Sequence, residues 1–82
     1  MNNAASFPFK VDFEGRQYQG TVTPSGDTDK NGLPVYFRIM IGDTFFAYLC
    51  CGEIGWGRKD SEEKGDEGLI QAIGEFIKLH YQ

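Results

Sequence analysis

A run of alternating oxygen-bearing side chains is the clearest chemical motif in this sequence. Asp27, Asp29 and Asn31 are spaced two residues apart and are followed by Gly32. Oxygen ligands at alternate positions before a glycine form the first half of a calcium-binding loop. The second half is missing, because Arg38 stands where a bidentate glutamate would close the site. These three residues are therefore only candidate calcium ligands, and the alternative is an ordinary turn-rich loop.

Side chains that catalyse reactions are few, and their spacing fits no catalytic site. The single histidine, His80, falls on the last turn of a predicted helix, where a structural role is favoured. Cys50 and Cys51 are adjacent, so in a strand they point to opposite faces, which favours reduced thiols over a disulfide. We expect one of the two to pack in the core. No nucleophile elbow and no zinc spacing is present, so we predict a protein that is not an enzyme and needs no cofactor.

Size and charge exclude several classes of protein. The chain has 82 residues, with 8 basic and 12 acidic side chains and a net charge of −4. This charge argues against nucleic-acid binding, which depends on neutralising phosphates. No apolar run approaches the roughly 18 residues of a membrane span, and the first residues lack the features of a secretory signal. Together with reduced thiols, these features predict a cytoplasmic protein.

Alternating side chains predict a first β-hairpin. Apolar residues recur at every second position from Phe7 to Phe13, and a second alternating run covers residues 16–23. With Glu14-Gly15 as the turn, Val11 faces Tyr18 and Phe9 faces Gly20. The polar residues then also face one another, so one register satisfies both faces.

A second hairpin is predicted at residues 33–41 and 44–51, around a Gly42-Asp43 turn. This register places Ile39 opposite Phe46 and Phe37 opposite Tyr48. The other face is then mostly apolar, and its residues are Tyr36, Arg38, Met40, Phe45, Ala47 and Leu49.

The last element is a predicted helix over residues 66–80. Leu69, Ile73 and Ile77 recur at helical spacing, and Asp66 stands where a capping side chain is expected. Gly74 inside the helix suggests a close approach to the sheet. The predicted fold is α+β: a four-stranded antiparallel meander of two hairpins, with the C-terminal helix on one face. Residues 1–6 form a predicted disordered tail, and residues 7–82 a single domain.

One helix cannot cover both faces of this sheet, so the second face is the predicted functional surface. Tyr36, Met40, Phe45 and Leu49 would be its apolar anchors around Arg38, with Trp56 near the rim. Exposed apolar patches of this kind are typical of interaction sites. We therefore predict a module that binds a protein partner or forms a homodimer. Three alternatives remain: single-stranded nucleic acid on this face, a face covered by the 52–65 loop, and a register that turns these residues inward.

Overall fold

The computed structural model describes residues 6–52, 55–59 and 65–81. Within these residues there are five strands: β1 (Phe7–Phe13), β2 (Arg16–Pro24), β3 (Phe37–Ile41), β4 (Thr44–Gly52) and β5 (Gly55–Arg58). One helix of the described residues, α1 (Glu67–His80), follows them. The strands form one antiparallel sheet in the order β1-β2-β3-β4-β5. The predicted α+β class is therefore confirmed, with one strand more than predicted.

The first hairpin has the predicted register. Phe9 lies opposite Gly20 and Val11 opposite Tyr18. Glu14 and Gly15 form the turn, both with positive φ, at 50° and 78°. Two consecutive left-handed residues match the right-handed twist of the flanking strands. The predicted tail lies outside the described residues except for Ser6, whose hydroxyl is 2.8 Å from that of Thr23.

The predicted register of the second hairpin is wrong beyond its first two pairs. Met40 faces Phe45 as expected, but Ile39 faces Ala47 rather than Phe46. Phe46 is therefore the additional residue of a β-bulge, and every later residue of β4 points to the opposite face from the one predicted. Leu49 turns into the core and Tyr48 turns outward.

The segment before β3 is a loop held by hydrogen bonds among its own residues, and β3 starts at Phe37 rather than at residue 33. Ser25, a buried polar residue, is the centre of this loop. Its hydroxyl donates to the Asp27 carbonyl at 2.8 Å and accepts from the Val35 amide at 3.1 Å. The Ser25 amide donates to the Tyr36 carbonyl at 2.9 Å. These bonds satisfy backbone groups that a longer strand would have paired.

The core lies between α1 and the concave side of the curled sheet. Helix α1 contacts both edge strands, β1 and β5, and so spans the open side of the sheet. Burial of apolar side chains on both elements drives this packing. The fully packed core residues are Phe7, Phe9, Val22, Phe37, Ile39, Ala47, Leu49, Leu69, Ile70, Ile73 and Ile77.

Gly74 is a point of close approach between the helix and the sheet, as its position in the helix predicted. A Cβ there would lie 2.2 Å from the Cγ atom of Trp56 in β5. Gln71 reinforces the contact: its side-chain amide donates to the Trp56 carbonyl at 2.6 Å, and its Oε1 accepts from the Trp56 amide at 3.2 Å. Strand β5 is thus held against the helix by side-chain and backbone contacts together.

The helix begins differently from the prediction. Asp66 stands at the N-cap position with φ 61°, but its side chain makes no capping hydrogen bond. Its carboxylate lies 3.8 Å from the guanidinium of Arg58 instead. Glu67 accepts a hydrogen bond from the Gly65 amide at 2.9 Å and places a negative charge in the first turn, where the helix dipole favours it. Among the described residues, no helix has the length and apolar character needed to cross a membrane.

Candidate functional site

An aromatic surface lies on the side of β3 and β4 that faces away from α1. Because Phe37, Ile39 and Leu49 point into the core, their neighbours in the strands point outward. We name this surface the outer aromatic face and define it by Tyr36, Arg38, Met40, Phe45, Tyr48 and Lys59.

Three aromatic rings form the centre of the outer aromatic face. The rings of Tyr36 and Tyr48 meet edge-on, with centroids 5.6 Å apart, and those of Phe45 and Tyr48 are 5.1 Å apart. Phe45 and Tyr48 remain 48% and 43% exposed despite these contacts. The cluster is therefore preformed but still presents apolar area to solvent.

Two cations lie beside these rings. Arg38 is exposed and faces Tyr48 across the β3–β4 ladder. The ammonium of Lys59 lies 5.1 Å from the centroid of the Tyr36 ring, within the range of a cation–π contact. The backbone amide of Lys59 also donates to the Tyr48 carbonyl at 2.7 Å, which places this residue beside β4.

The structure brings together four of the six predicted site residues. Tyr36, Arg38, Met40 and Phe45 share the outer aromatic face, as predicted. Leu49 does not belong to it, because the bulge at Phe46 turns Leu49 inward, where it is fully buried. The prediction missed Tyr48, which the same bulge turns outward; no feature of the strand's pattern marked the bulge.

Trp56 also lies elsewhere than predicted. It is neither at the rim of the outer face nor folded over it, because it packs on Gly74 of the helix, and its ring centroid is 5.8 Å from that of Phe37. The 52–65 loop of the prediction contains β5, which continues the sheet beside β4. The loop residues 53–54 and 60–64 lie outside the described part of the chain.

One carboxylate oxygen among the candidate calcium ligands is bonded to the loop that carries it. The Oδ1 atom of Asp29 accepts hydrogen bonds from the Asn31 and Leu33 amides at 2.8 and 3.0 Å. The Asp27 carbonyl accepts from the Val35 amide at 3.2 Å. Over residues 6–52, 55–59 and 65–81, no group of three or more His, Cys, Asp or Glu side chains is arranged to hold a metal. Calcium binding at Asp27, Asp29 and Asn31 stays a prediction.

The remaining reactive side chains have structural surroundings. His80 stacks on Phe7, with ring centroids 3.6 Å apart and planes 5° apart. Cys50 and Cys51 are free thiols on opposite sides of β4. The expectation that one of them packs in the core is wrong, because Cys50 is half-buried and Cys51 is exposed.

Comparisons of the chain with protein-family models, with curated proteins and with solved structures found no match.

Proposed function

We propose that this chain acts by binding rather than by catalysis, and that the outer aromatic face docks on a second copy of the chain. The observation that carries this proposal is the exposed cluster of Phe45 and Tyr48 on a preformed, helix-free sheet face. Tyr, Arg and Met are enriched where protein interfaces are fully buried. A chain of this size also has a small core, and association is a common additional source of stability.

Charge on the β3–β4 hairpin supports a second copy as the occupant. Arg38 lies near one end of the hairpin, and Asp43 lies in its turn at the other end. In a two-fold interface, a contact between one residue and a different residue of the other copy occurs twice, once in each direction. Two hairpins packed antiparallel would therefore bring each Arg38 to an Asp43, with Phe45 and Tyr48 between them.

A charge-swap series tests this arrangement. We expect Arg38→Glu and Asp43→Arg each to weaken the dimer in sedimentation velocity, because each places like charges together. The double variant should restore most of the lost association. Leu79→Glu is the matched control, since Leu79 is 66% exposed but lies on the helix, away from the outer aromatic face. A monomeric wild type, or a dimer that none of these variants changes, contradicts the proposal.

Single-stranded nucleic acid is the second candidate, and the position of Arg38 and Lys59 beside three aromatic rings favours it. Bases stack on such rings, and cations beside them meet the phosphates. The net charge of −4 opposes this function. A titration with fluorescein-labelled oligothymidylate at two salt concentrations separates the candidates. Binding that weakens with salt and is lost in Tyr48→Ala would replace the dimer proposal.

We also propose that the protein is cytoplasmic. The free thiols of Cys50 and Cys51 support this location, because thiols stay reduced there.

A further inference from the structure

A cavity of about 350 Å³ lies at one end of the curled sheet, between the last turn of α1 and the loop before β3. We name it the end cavity. Its wall includes Phe37, Trp56, Ile77 and the exposed Tyr81, and the exposed charged residues Asp29 and Lys78 form part of its rim. The volume falls within the range of small-molecule sites, which are often found in the mouths of curled sheets and barrels.

The wall of the end cavity is aromatic and already assembled. The ring centroid of Phe37 is 5.8 Å from that of Trp56 and 5.9 Å from that of Tyr81, with both ring pairs tilted by 52°. Partial burial raises the pKa of Tyr81, so its phenol group lies in a less polar environment than water. A flat or branched apolar group of a ligand would meet ring faces without a rearrangement of the core.

Apolar side chains also surround the mouth of the cavity. Leu33 and Val35 line it and are each more than two-fifths exposed. Exposed apolar area concentrated around a concave site is typical of a binding surface.

The rim carries one charge of each sign. The carboxylate of Asp29 accepts two backbone hydrogen bonds, both at Oδ1, which leaves Oδ2 for a ligand. On the other side stands Lys78, and within the described part of the chain no carboxylate lies at ion-pair distance from its ammonium. A lining that is largely apolar and carries one charge of each sign offers a partner for each group of a small zwitterion.

We propose that the end cavity binds a free amino acid with an apolar side chain. The side chain lies against Phe37, Trp56 and Tyr81, the ligand carboxylate faces Lys78, and the ligand ammonium faces Asp29. This site is separate from the outer aromatic face, so either proposal can fail without the other.

The chain provides its own reporter, because its single tryptophan, Trp56, lines the cavity. L-Phenylalanine, L-leucine, 3-phenylpropanoate and 2-phenylethylamine are titrated against the intact protein with excitation at 295 nm. We expect the two amino acids to change Trp56 fluorescence, with a Kd of about the millimolar range or tighter. The acid and the amine, which each lack one charge, should bind about two- to fivefold more weakly than phenylalanine.

Two charge variants separate the contacts. Lys78→Gln should weaken the binding of phenylalanine and of phenylpropanoate by about two- to fivefold, and should leave the binding of the amine unchanged. Asp29→Asn keeps an oxygen that can accept the hydrogen bonds of the loop. It should weaken the binding of phenylalanine and of the amine, and should leave the binding of the acid unchanged. Leu33→Gln should weaken the binding of all four ligands. Leu79→Gln is the matched control outside the cavity, and it should leave the binding of all four unchanged.

A second readout uses Cys51, an exposed residue that also lines the cavity. In a Cys50→Ser background, phenylalanine should slow the reaction of Cys51 with a disulfide reagent. The proposal is overturned if neither amino acid changes the fluorescence or the thiol rate. It is equally overturned if phenylalanine binds no better than its singly charged analogues.

Discussion

Substituting Gly74 tests the packing of the helix on the sheet. A Cβ at this position would lie 2.2, 2.4 and 2.4 Å from three atoms of the Trp56 indole, against the 3.4 Å at which ordinary van der Waals contact begins. The ring or the helix must therefore move by more than 1 Å in Gly74→Ala. Overpacking of this kind costs about 1–3 kcal/mol, and so large a shortfall places it in the upper part of that range. The higher helix propensity of alanine offsets about 1 kcal/mol of this cost, so we expect the free energy of unfolding to fall by about 1–2 kcal/mol.

A double-mutant cycle isolates the contact from the propensity. Trp56→Ala removes Cγ, the atom nearest to the added methyl group. In that background, Gly74→Ala should stabilise the protein by about 1 kcal/mol, because only helix propensity remains. The sign of the effect should thus reverse between the two backgrounds, with a coupling energy of about 2–3 kcal/mol.

Urea unfolding followed by far-ultraviolet circular dichroism measures all four proteins of the cycle, since it does not depend on the tryptophan. Gly57→Ala is the control: Gly57 lies in the same strand as Trp56, and a Cβ there would meet nothing within 4 Å. It should change stability by less than about 0.5 kcal/mol or raise it slightly. A Gly74→Ala protein more stable than the wild type, or a coupling energy near zero, would refute this account of the packing.

Two further predictions concern the sheet and the C-terminus. Gly20→Ala should destabilise the fold by more than Gly74→Ala, because the added Cβ would collide with the backbone carbonyl of Met40. A backbone carbonyl cannot rotate away as a side chain can. Thermal unfolding measures the difference, with Gly57→Ala as the control. Partial burial raises the pKa of Tyr81 above 10.0, so the stability linked to this phenol is complete below about pH 10 and is lost as the pH rises beyond it, where the unfolded chain ionises first. Urea midpoints between pH 9 and about 11 should therefore fall less steeply in Tyr81→Phe than in the wild type, and identical slopes would contradict this assignment.

The first hairpin and the helix could be predicted because each follows one strong period. Alternation from Phe7 to Phe13 has a single matching register across a two-residue turn, and the structure has that register. Leu69, Ile73 and Ile77 likewise define one apolar stripe, and all three are buried. In both cases, a different arrangement would expose the apolar side chains.

The second hairpin was predicted in part, because both of its faces are apolar. With aromatic or aliphatic residues at nearly every position from Phe45 to Leu49, alternation does not distinguish the inside from the outside. The bulge at Phe46 therefore left no mark in the pattern, and it exchanged Leu49 for Tyr48 on the outer aromatic face. Packing of the helix on Ala47 and Leu49, which is a tertiary effect, is consistent with the observed register.

Strand β5 and the end cavity could not be found from local sequence. The strand is four residues long and contains two glycines, which are depleted in strands. Trp56 of this strand pairs with Cys51 in β4 and packs on Gly74 in the helix. Neither contact produces a sequence pattern that predicts a strand. The cavity joins residues from a loop, three strands and the helix end, so it exists only once the sheet has curled.

We propose that two copies of the chain meet through the outer aromatic face. An isotope-filtered nuclear Overhauser experiment on an equimolar mixture of labelled and unlabelled protein tests it most directly. The account predicts intermolecular cross-peaks from the rings of Phe45 and Tyr48, and their loss in Arg38→Glu. Absence of intermolecular cross-peaks at high protein concentration, or their appearance at Trp56 and Tyr81 instead, would contradict it.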